Sequence, residues 1–292
     1  MRGLRAWAYG APPKPAPSQR RLGLALGGGF ARGIAHIGVL KVLEEQKIPI
    51  HCIAGTSVGA LMASAYACGT PLRQLEELAA ATRFKDFGKW TLSWMGLASN
   101  EPLADFFHRF CAVRDFEQLR IPLAIAATDL ASGELVFFTR GELGPPLRAS
   151  CAYPGLFLPV EYDGRMLVDG FLGAPVPVDA LPAMGADIRV AVYLASDLPP
   201  DKPKTMADVI GRSFSIMQAN AEKVWRQKAH LVIEPDVTGF QWDDFKRAPE
   251  LIAAGEKAAR DAVPRLRALL SPAAGLPAGE RHAPARLPEV LP

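Results

Sequence analysis

Short apolar runs alternate with amphipathic stretches from Leu22 to Leu270. Leu22-Gly23-Leu24-Ala25-Leu26 and the runs at 50–54, 122–127, 135–139, 188–193 and 231–233 are aliphatic or β-branched, and they read as strands. Helical spacing of apolar positions predicts helices over 33–46, 60–67, 71–82, 101–112, 205–228 and 248–270. Asp163-Gly164 separates Val160-Glu161-Tyr162 from Arg165-Met166-Leu167-Val168, the signature of a two-residue hairpin turn. Strands apolar on both faces and alternating with helices imply an α/β fold whose mostly parallel sheet is covered on each side.

The ends depart from this pattern. Residues 10–19 hold four prolines, and residues 271–292 are rich in Pro, Ala and Gly. The expected organisation is a basic Pro-rich arm over 1–20, one domain over 21–270 and a tail over 271–292. At 292 residues, with 49% apolar and 22% charged residues, the chain can bury a sizeable core.

Charge changes the picture once it is localised. The net charge is +3, but Arg2, Arg5, Lys14, Arg20 and Arg21 contribute five positive charges within the first 21 residues. Removing those five leaves −2 for residues 22–292, so a nucleic-acid-binding face is not indicated. The basic arm reads as a solvated tail, with contact to anionic lipid as the alternative. No run of about 18 apolar residues exists to span a bilayer, and prolines 12, 13 and 15 stand where a signal peptide needs its apolar region. Cys52, Cys68, Cys111 and Cys151 lack metal-ligand spacing and read as unpaired thiols in a reducing compartment. The expectation is therefore a cytoplasmic protein, peripheral contact with a membrane aside, and no metal or organic cofactor.

Two turns carry candidate chemistry. Gly55-Thr56-Ser57-Val58-Gly59 follows the strand at 50–54 and opens a helix, the context of a nucleophile elbow with Ser57 at its corner. An N-capping serine is the bland alternative. Gly27-Gly28-Gly29-Phe30-Ala31-Arg32-Gly33 follows the first strand and also opens a helix, a geometry that offers backbone N–H groups to an anion. Neither the P-loop nor the dinucleotide spacing is present, which leaves the oxyanion of an acyl-transfer step. Adjacent parallel strands would set both turns side by side at one carboxyl edge. A serine nucleophile needs a base. Asp163 serves its hairpin turn, whereas Asp169-Gly170 ends a strand and leads into irregular chain, so Asp169 leads the other carboxylates.

The Gly27–Gly33 loop, the Ser57 elbow and Asp169-Gly170, in that order, resemble the patatin-like phospholipase family. Ala35-His36-Ile37-Gly38-Val39-Leu40, Thr128-Asp129-Leu130, the stretch Arg148–Gly155 and Pro175-Val176-Pro177-Val178 extend the resemblance over about 250 residues, nearly the whole domain. It looks most like the compact bacterial members. The resemblance implies a three-layer α/β/α fold and hydrolysis of lipid acyl esters by a Ser57–Asp169 dyad. The Gly27, Gly28 and Gly29 loop would supply oxyanion donors, with Arg32 alongside. Phe171 departs from the family, which usually has Gly or Ala there, and its bulk would reshape the site entrance.

Other readings stay open. A Ser-Asp-His triad of the α/β-hydrolase kind would use Ser57, Asp169 and then His230 or His282, while His36 falls among apolar residues like a core histidine. A non-catalytic member binding lipid or protein is a further alternative. The aromatic segment 87–97, with Trp90 and Trp94, reads equally as a lid or lipid-contact flap and as core packing.

Overall fold

The computed structural model describes residues 20–195 and 202–271, so the expected arm and tail lie almost wholly outside the described residues. The chain runs β1 (Leu22–Leu26), α1 (Ala35–Glu45), β2 (Ile50–Thr56), α2 (Val58–Cys68), α3 (Leu72–Ala81), α4 (Phe84–Phe87), β3 (Lys89–Ser93), β4 (Gly96–Ser99) and α5 (Pro102–His108). It continues through β5 (Leu123–Asp129), β6 (Leu135–Phe138), α6 (Gly144–Ser150), β7 (Val160–Tyr162), β8 (Arg165–Asp169), β9 (Ile188–Val192), α7 (Met206–Trp225), β10 (Leu231–Ile233) and α8 (Ala248–Leu270). Short 3-10 turns fill several of the connections.

An eight-stranded sheet has the order β10-β9-β1-β2-β5-β8-β7, with β6 also pairing β5. The five strands from β10 to β5 are parallel. β6 and β8 pair antiparallel with β5, and β7 with β8. Alternation along the central strands sorts two faces. Leu24, Leu26, Ile53 and Ile125 point to the helices α1, α2 and α8. Ala25, Cys52, Ala54, Ala124 and Ala126 point to the other side, toward Val176, Leu181 and Trp225. Burial of both faces is why these strands read as unbroken apolar runs. The result is the three-layer α/β/α arrangement.

Close packing depends on missing side chains. A Cβ on Gly38 of α1 would meet the Ile252 carbonyl of α8, and one on Gly255 of α8 would meet the Ala35 carbonyl. The Asp163-Gly164 turn has positive φ at both residues, 54° and 70°, as its hairpin requires.

Two findings bear on the sequence expectations. First, segment 87–97, open between a flap and core packing, lies in the antiparallel β3–β4 hairpin with every residue of β3 exposed, which sets core packing aside. Second, Cys68 and Cys111 are joined by a disulfide, with Cα atoms 6.0 Å apart, while Cys52 and Cys151 are free. The partners lie 43 residues apart, at the end of α2 and just beyond α5, and only the chain's return places them together. The cysteine argument for a reducing compartment therefore falls away.

Closing a loop of that length restricts the unfolded chain by about 4 kcal/mol in the entropic model. Replacing both Cys68 and Cys111 by Ala should lower unfolding free energy by about 2–4 kcal/mol without reductant, and reductant should lower the wild type similarly. Denaturant titrations that superimpose under both conditions would contradict the pairing.

Candidate active site

β1 and β2 lie side by side and end at the same edge of the sheet, so Gly27 and Ser57 emerge together. Ser57 takes φ 56° and ψ −128°, a strained conformation for a residue with a Cβ. A nucleophile elbow uses such strain to swing its side chain out of the strand before the helix begins. The flanking glycines are sterically required. A Cβ on Gly55 would run into Gly59 and Ala60, and one on Gly59 into the carbonyls of Leu26 and Gly27. The Ser57 amide donates to Ser150 Oγ at 2.8 Å, and Thr56 Oγ1 donates to the Ala174 carbonyl at 2.8 Å, which fix the turn from two sides.

Asp169 reaches the same point from the antiparallel side. Thr56 is paired with Ala126, and the next residue of β5, Ala127, is paired with Asp169. Strand register thus sets Asp169 level with Ser57 across β5. The small side chains of Ala126 and Ala127 leave room between them. Gly170 permits the approach, since a Cβ there would strike the Ala126 carbonyl. Ser57 Oγ donates directly to Asp169 Oδ2 at 2.7 Å. The other oxygen, Oδ1, accepts from the Phe171 amide at 2.9 Å.

Asp169 is 1% exposed. Burial pushes its carboxyl up to about 7, against the lowering effect of the hydrogen bonds from Phe171 and Ser57. Cys151 sits beside this pair. Burial and the neighbouring Asp169 carboxylate push its thiol well above the ordinary range, countered in part by Ser57, so it stays protonated.

The glycine loop is held open toward the site. Its Gly27 amide donates to the Val192 carbonyl, and that of Gly28 to the Pro175 carbonyl, each at 3.1 Å. Ala31 donates to the Trp242 carbonyl at 3.0 Å. Among the described residues the amides of Gly29 and Phe30 have no such partner, and both residues are half-buried beside Ser57's edge of the sheet. Phe30 itself has φ 51°, a further strained position. Arg32 follows in the first turn, where its charge reaches the Tyr153 hydroxyl.

His36 is fully buried, and burial lowers its imidazole to about 4, so it is neutral. Its Nε2 lies 2.8 Å from the Gly27 carbonyl, which can only accept, so Nε2 carries the proton and donates. His36 thus holds the loop rather than Ser57. His230 Nδ1 accepts from the Arg189 amide at 2.9 Å, and His282 lies outside the described residues. Asp163 stays at its hairpin turn.

Above the Ser57–Asp169 pair lies a wall of rings. Phe30 packs edge-on to Tyr153 and Trp242, with centroids 5.0 and 5.7 Å apart. Tyr153 lies 4.4 Å from Phe214 of α7, and Phe171 lies 6.2 Å from Phe214. Phe171 occupies the space that a Cβ on Gly28 would need, so its bulk roofs the glycine loop. From Ser57 an almost wholly apolar cavity of about 110 Å³ extends between α2, α3 and α5, lined by Leu61, Met62, Leu75, Leu78, Phe106, Phe110 and Phe157 among others. Asn100 also lines it, bonded through Nδ2 to the Arg148 carbonyl at 2.7 Å. Among the described residues, no three His, Cys, Asp or Glu side chains converge to hold a metal, and no helix is long and apolar enough to cross a membrane.

Sequence reasoning gave Ser150 and Cys151 no role beyond their place in the Arg148–Gly155 stretch, and of the ring wall it singled out Phe171 alone. Ser150 and Cys151 belong to α6 and its cap, for which the sequence offered no helical signal, and the rings come from five separate segments.

Comparison with known proteins agrees with this architecture. An uncharacterized NTE family protein of Mycobacterium bovis is 36% identical over 192 residues, covering 61% of this chain and 50% of that protein. The chain thus spans about half the length of such mycobacterial relatives. Lysophospholipase NTE1 of Mycosarcoma maydis is 31% identical over 229 residues, covering 75% of this chain and 12% of that protein. The crystal structure of VipD from Legionella pneumophila matches with a TM-score of 0.56 at 12% identity, over 86% of this chain and 67% of that one, a likeness of fold. The family model of patatin-like phospholipase matches residues 24–182, which include the glycine loop, Ser57 and Asp169, and the chain belongs to that family.

Proposed function

We propose that this chain is a serine acyl hydrolase that cleaves fatty-acyl esters of phospholipids or related lipids. The observation that carries the reading is the 2.7 Å hydrogen bond from Ser57 Oγ to the buried Asp169 carboxylate, at a strained elbow that opens into an apolar cavity. Family membership and the lysophospholipase name of the fungal relative support a lipid ester as substrate.

In this mechanism Asp169 Oδ2 takes the Ser57 proton as Oγ attacks the ester carbonyl. Amides of the glycine loop, those of Gly29 and Phe30 in particular, face the oxyanion, with the Arg32 charge nearby. Gly27 and Gly28 contribute by anchoring the loop through their own amides. Collapse of the tetrahedral intermediate breaks the bond to the leaving alkoxide, which receives the proton from Asp169. Water then attacks the acyl-enzyme, gives its proton to Asp169, and the fatty acid leaves as Ser57 is re-protonated. The apolar cavity takes the acyl chain. Phe171 and the ring wall exclude water above the dyad, which strengthens the electrostatic terms. No step calls on a histidine.

Ser57→Ala should fold normally and lose at least about 10⁴-fold in kcat on a short-chain ester, the scale seen when a member of a catalytic unit is removed. Asp169→Asn should fall comparably, while Asp163→Asn stays near wild type because Asn also suits its turn. Equal losses at Asp169 and Asp163 would overturn the assignment.

The pH dependence follows from the buried carboxyl. Only ionised Asp169 can accept the proton, so kcat/KM should rise with pH through an inflection near 7. Stability should move the other way. A native carboxyl raised above its unfolded value binds more protons than the unfolded state between about 4 and about 7, so its contribution declines as pH rises through that window. Asp169→Asn should therefore gain in Tm relative to wild type from the low to the high end of that window. A rate profile flat across neutrality, or a constant Tm difference, would contradict the raised carboxyl.

A further inference from the structure

The β3–β4 hairpin carries large apolar side chains that stay exposed among the described residues. Leu92 is 104% exposed, Trp94 106%, Trp90 66%, Met95 53% and Leu97 49%. Leaving such a cluster in water is unfavourable, and a contiguous apolar projection marks an interaction site. We propose that this hairpin inserts its tip into the interfacial zone of an anionic lipid bilayer and holds the mouth of the acyl cavity against it. The inference rests on reading that cavity as the acyl site.

Three observations select a bilayer over a protein partner. First, the tip is apolar on both faces. Trp90 of β3 and Leu97 of β4 project to opposite faces, because Trp90 pairs with Ala98. A folded partner would cover one face, whereas a lipid phase surrounds the tip. Second, the hairpin is continuous with the cavity. Trp90 stacks on Phe84 at 4.7 Å, and Phe84 stacks on Phe157 at 6.0 Å. Phe157 and Phe87 both line the cavity and lie 6.5 Å apart. The base of the hairpin is fixed to the same segment, by Ala98 N to the Leu156 carbonyl at 2.8 Å and Leu158 N to the Ala98 carbonyl at 2.9 Å. Third, the segment leading into the hairpin is basic: Arg83, Lys85 and Lys89 are exposed, while its single acid, Asp86, is bonded to the Arg83 amide and lies 3.8 Å from Arg109; Glu101 is the exposed acid on the β4 side. Basic groups at the level of the headgroups with Trp and Leu beyond them match the layering of a membrane surface.

Backbone chemistry limits the depth. Among the described residues no strand lies beside the outer edge of β3, and hydrocarbon cannot satisfy the N–H and C=O groups there. The tip side chains therefore enter the boundary between headgroups and chains while the strands remain at headgroup level. Lipid then reaches the cavity beside the hairpin without crossing bulk water.

The test uses the full chain carrying Ser57→Ala, so that lipid is not consumed, with vesicles of phosphatidylglycerol and phosphatidylcholine in equal amounts. Co-sedimentation should show binding that weakens with salt. The Leu92→Ala/Trp94→Ala/Met95→Ala variant should bind at least about tenfold more weakly, as apolar contact sets interfacial affinity. With Ser57 restored, that variant should hydrolyse a soluble short-chain ester like wild type. Brominated acyl chains should quench the intrinsic fluorescence of the bound protein, and Trp90→Phe/Trp94→Phe should bind vesicles yet lose most of that quenching. Unchanged binding by the triple variant, or unchanged quenching by the double variant, would overturn the proposal. So would an absence of vesicle binding by the intact chain, or an effect of the triple variant confined to self-association in sedimentation velocity. Failure of wild type to hydrolyse the soluble ester would sink the catalytic reading instead and leave the vesicle result standing.

Discussion

The hydrogen bond between Ser57 and Asp169 can exist only because two backbones are forced close at one edge of the sheet. Ser57 is held in a conformation costing of order 1–3 kcal/mol, and the surrounding structure must over-determine it. That enforcement is visible: glycines at 55 and 59 with no room for a side chain, the Ser150 hydroxyl on the Ser57 amide, and the Thr56 hydroxyl on Ala174. On the other side the register of β8 against β5 delivers Asp169, and Gly170 lets it turn inward past the Ala126 carbonyl. Loosening either backbone by one residue would move the carboxylate to the opposite face of the sheet.

Burial then gives this contact its chemistry. The same exclusion of water that raises the Asp169 carboxyl to about 7 would, in the proposed mechanism, make it a competent acceptor near neutrality. Phe171, Phe214, Tyr153 and Phe30 cover the Ser57–Asp169 pair on one side, and the apolar cavity adjoins it on the other. A buried carboxylate is unfavourable for folding, and the closely packed α1–α8 contact and the Cys68–Cys111 link offset part of that cost. The exposed β3–β4 hairpin continues the apolar surface outward from the cavity through Trp90, Phe84 and Phe157.

Much of this was legible in the sequence because it is local. The strand-turn-helix context of Ser57 spans fewer than twenty residues, and the glycine loop follows its strand directly. The contrast between Asp163-Gly164 and Asp169-Gly170 needed only the pattern of flanking strands, and both occupy the places that pattern implied. What escaped is non-local. The disulfide joins residues 43 apart. The amides of Gly27 and Gly28 are engaged by Val192 and Pro175, strand-end carbonyls that no local pattern could assign to them, which shifts the candidate donors to Gly29 and Phe30. Segment 87–97 reads equally as a flap and as core packing, and the fold decides, since among the described residues no layer covers its tip.

The central claim is that Asp169 activates Ser57 directly. Labelling with a fluorophosphonate, followed by peptide mass mapping, tests it without knowledge of the natural substrate. The account predicts one adduct, on Ser57, forming faster as pH rises through about 7 and almost abolished in Asp169→Asn. An adduct on another serine, or Ser57 labelled at the wild-type rate in Asp169→Asn, would contradict it.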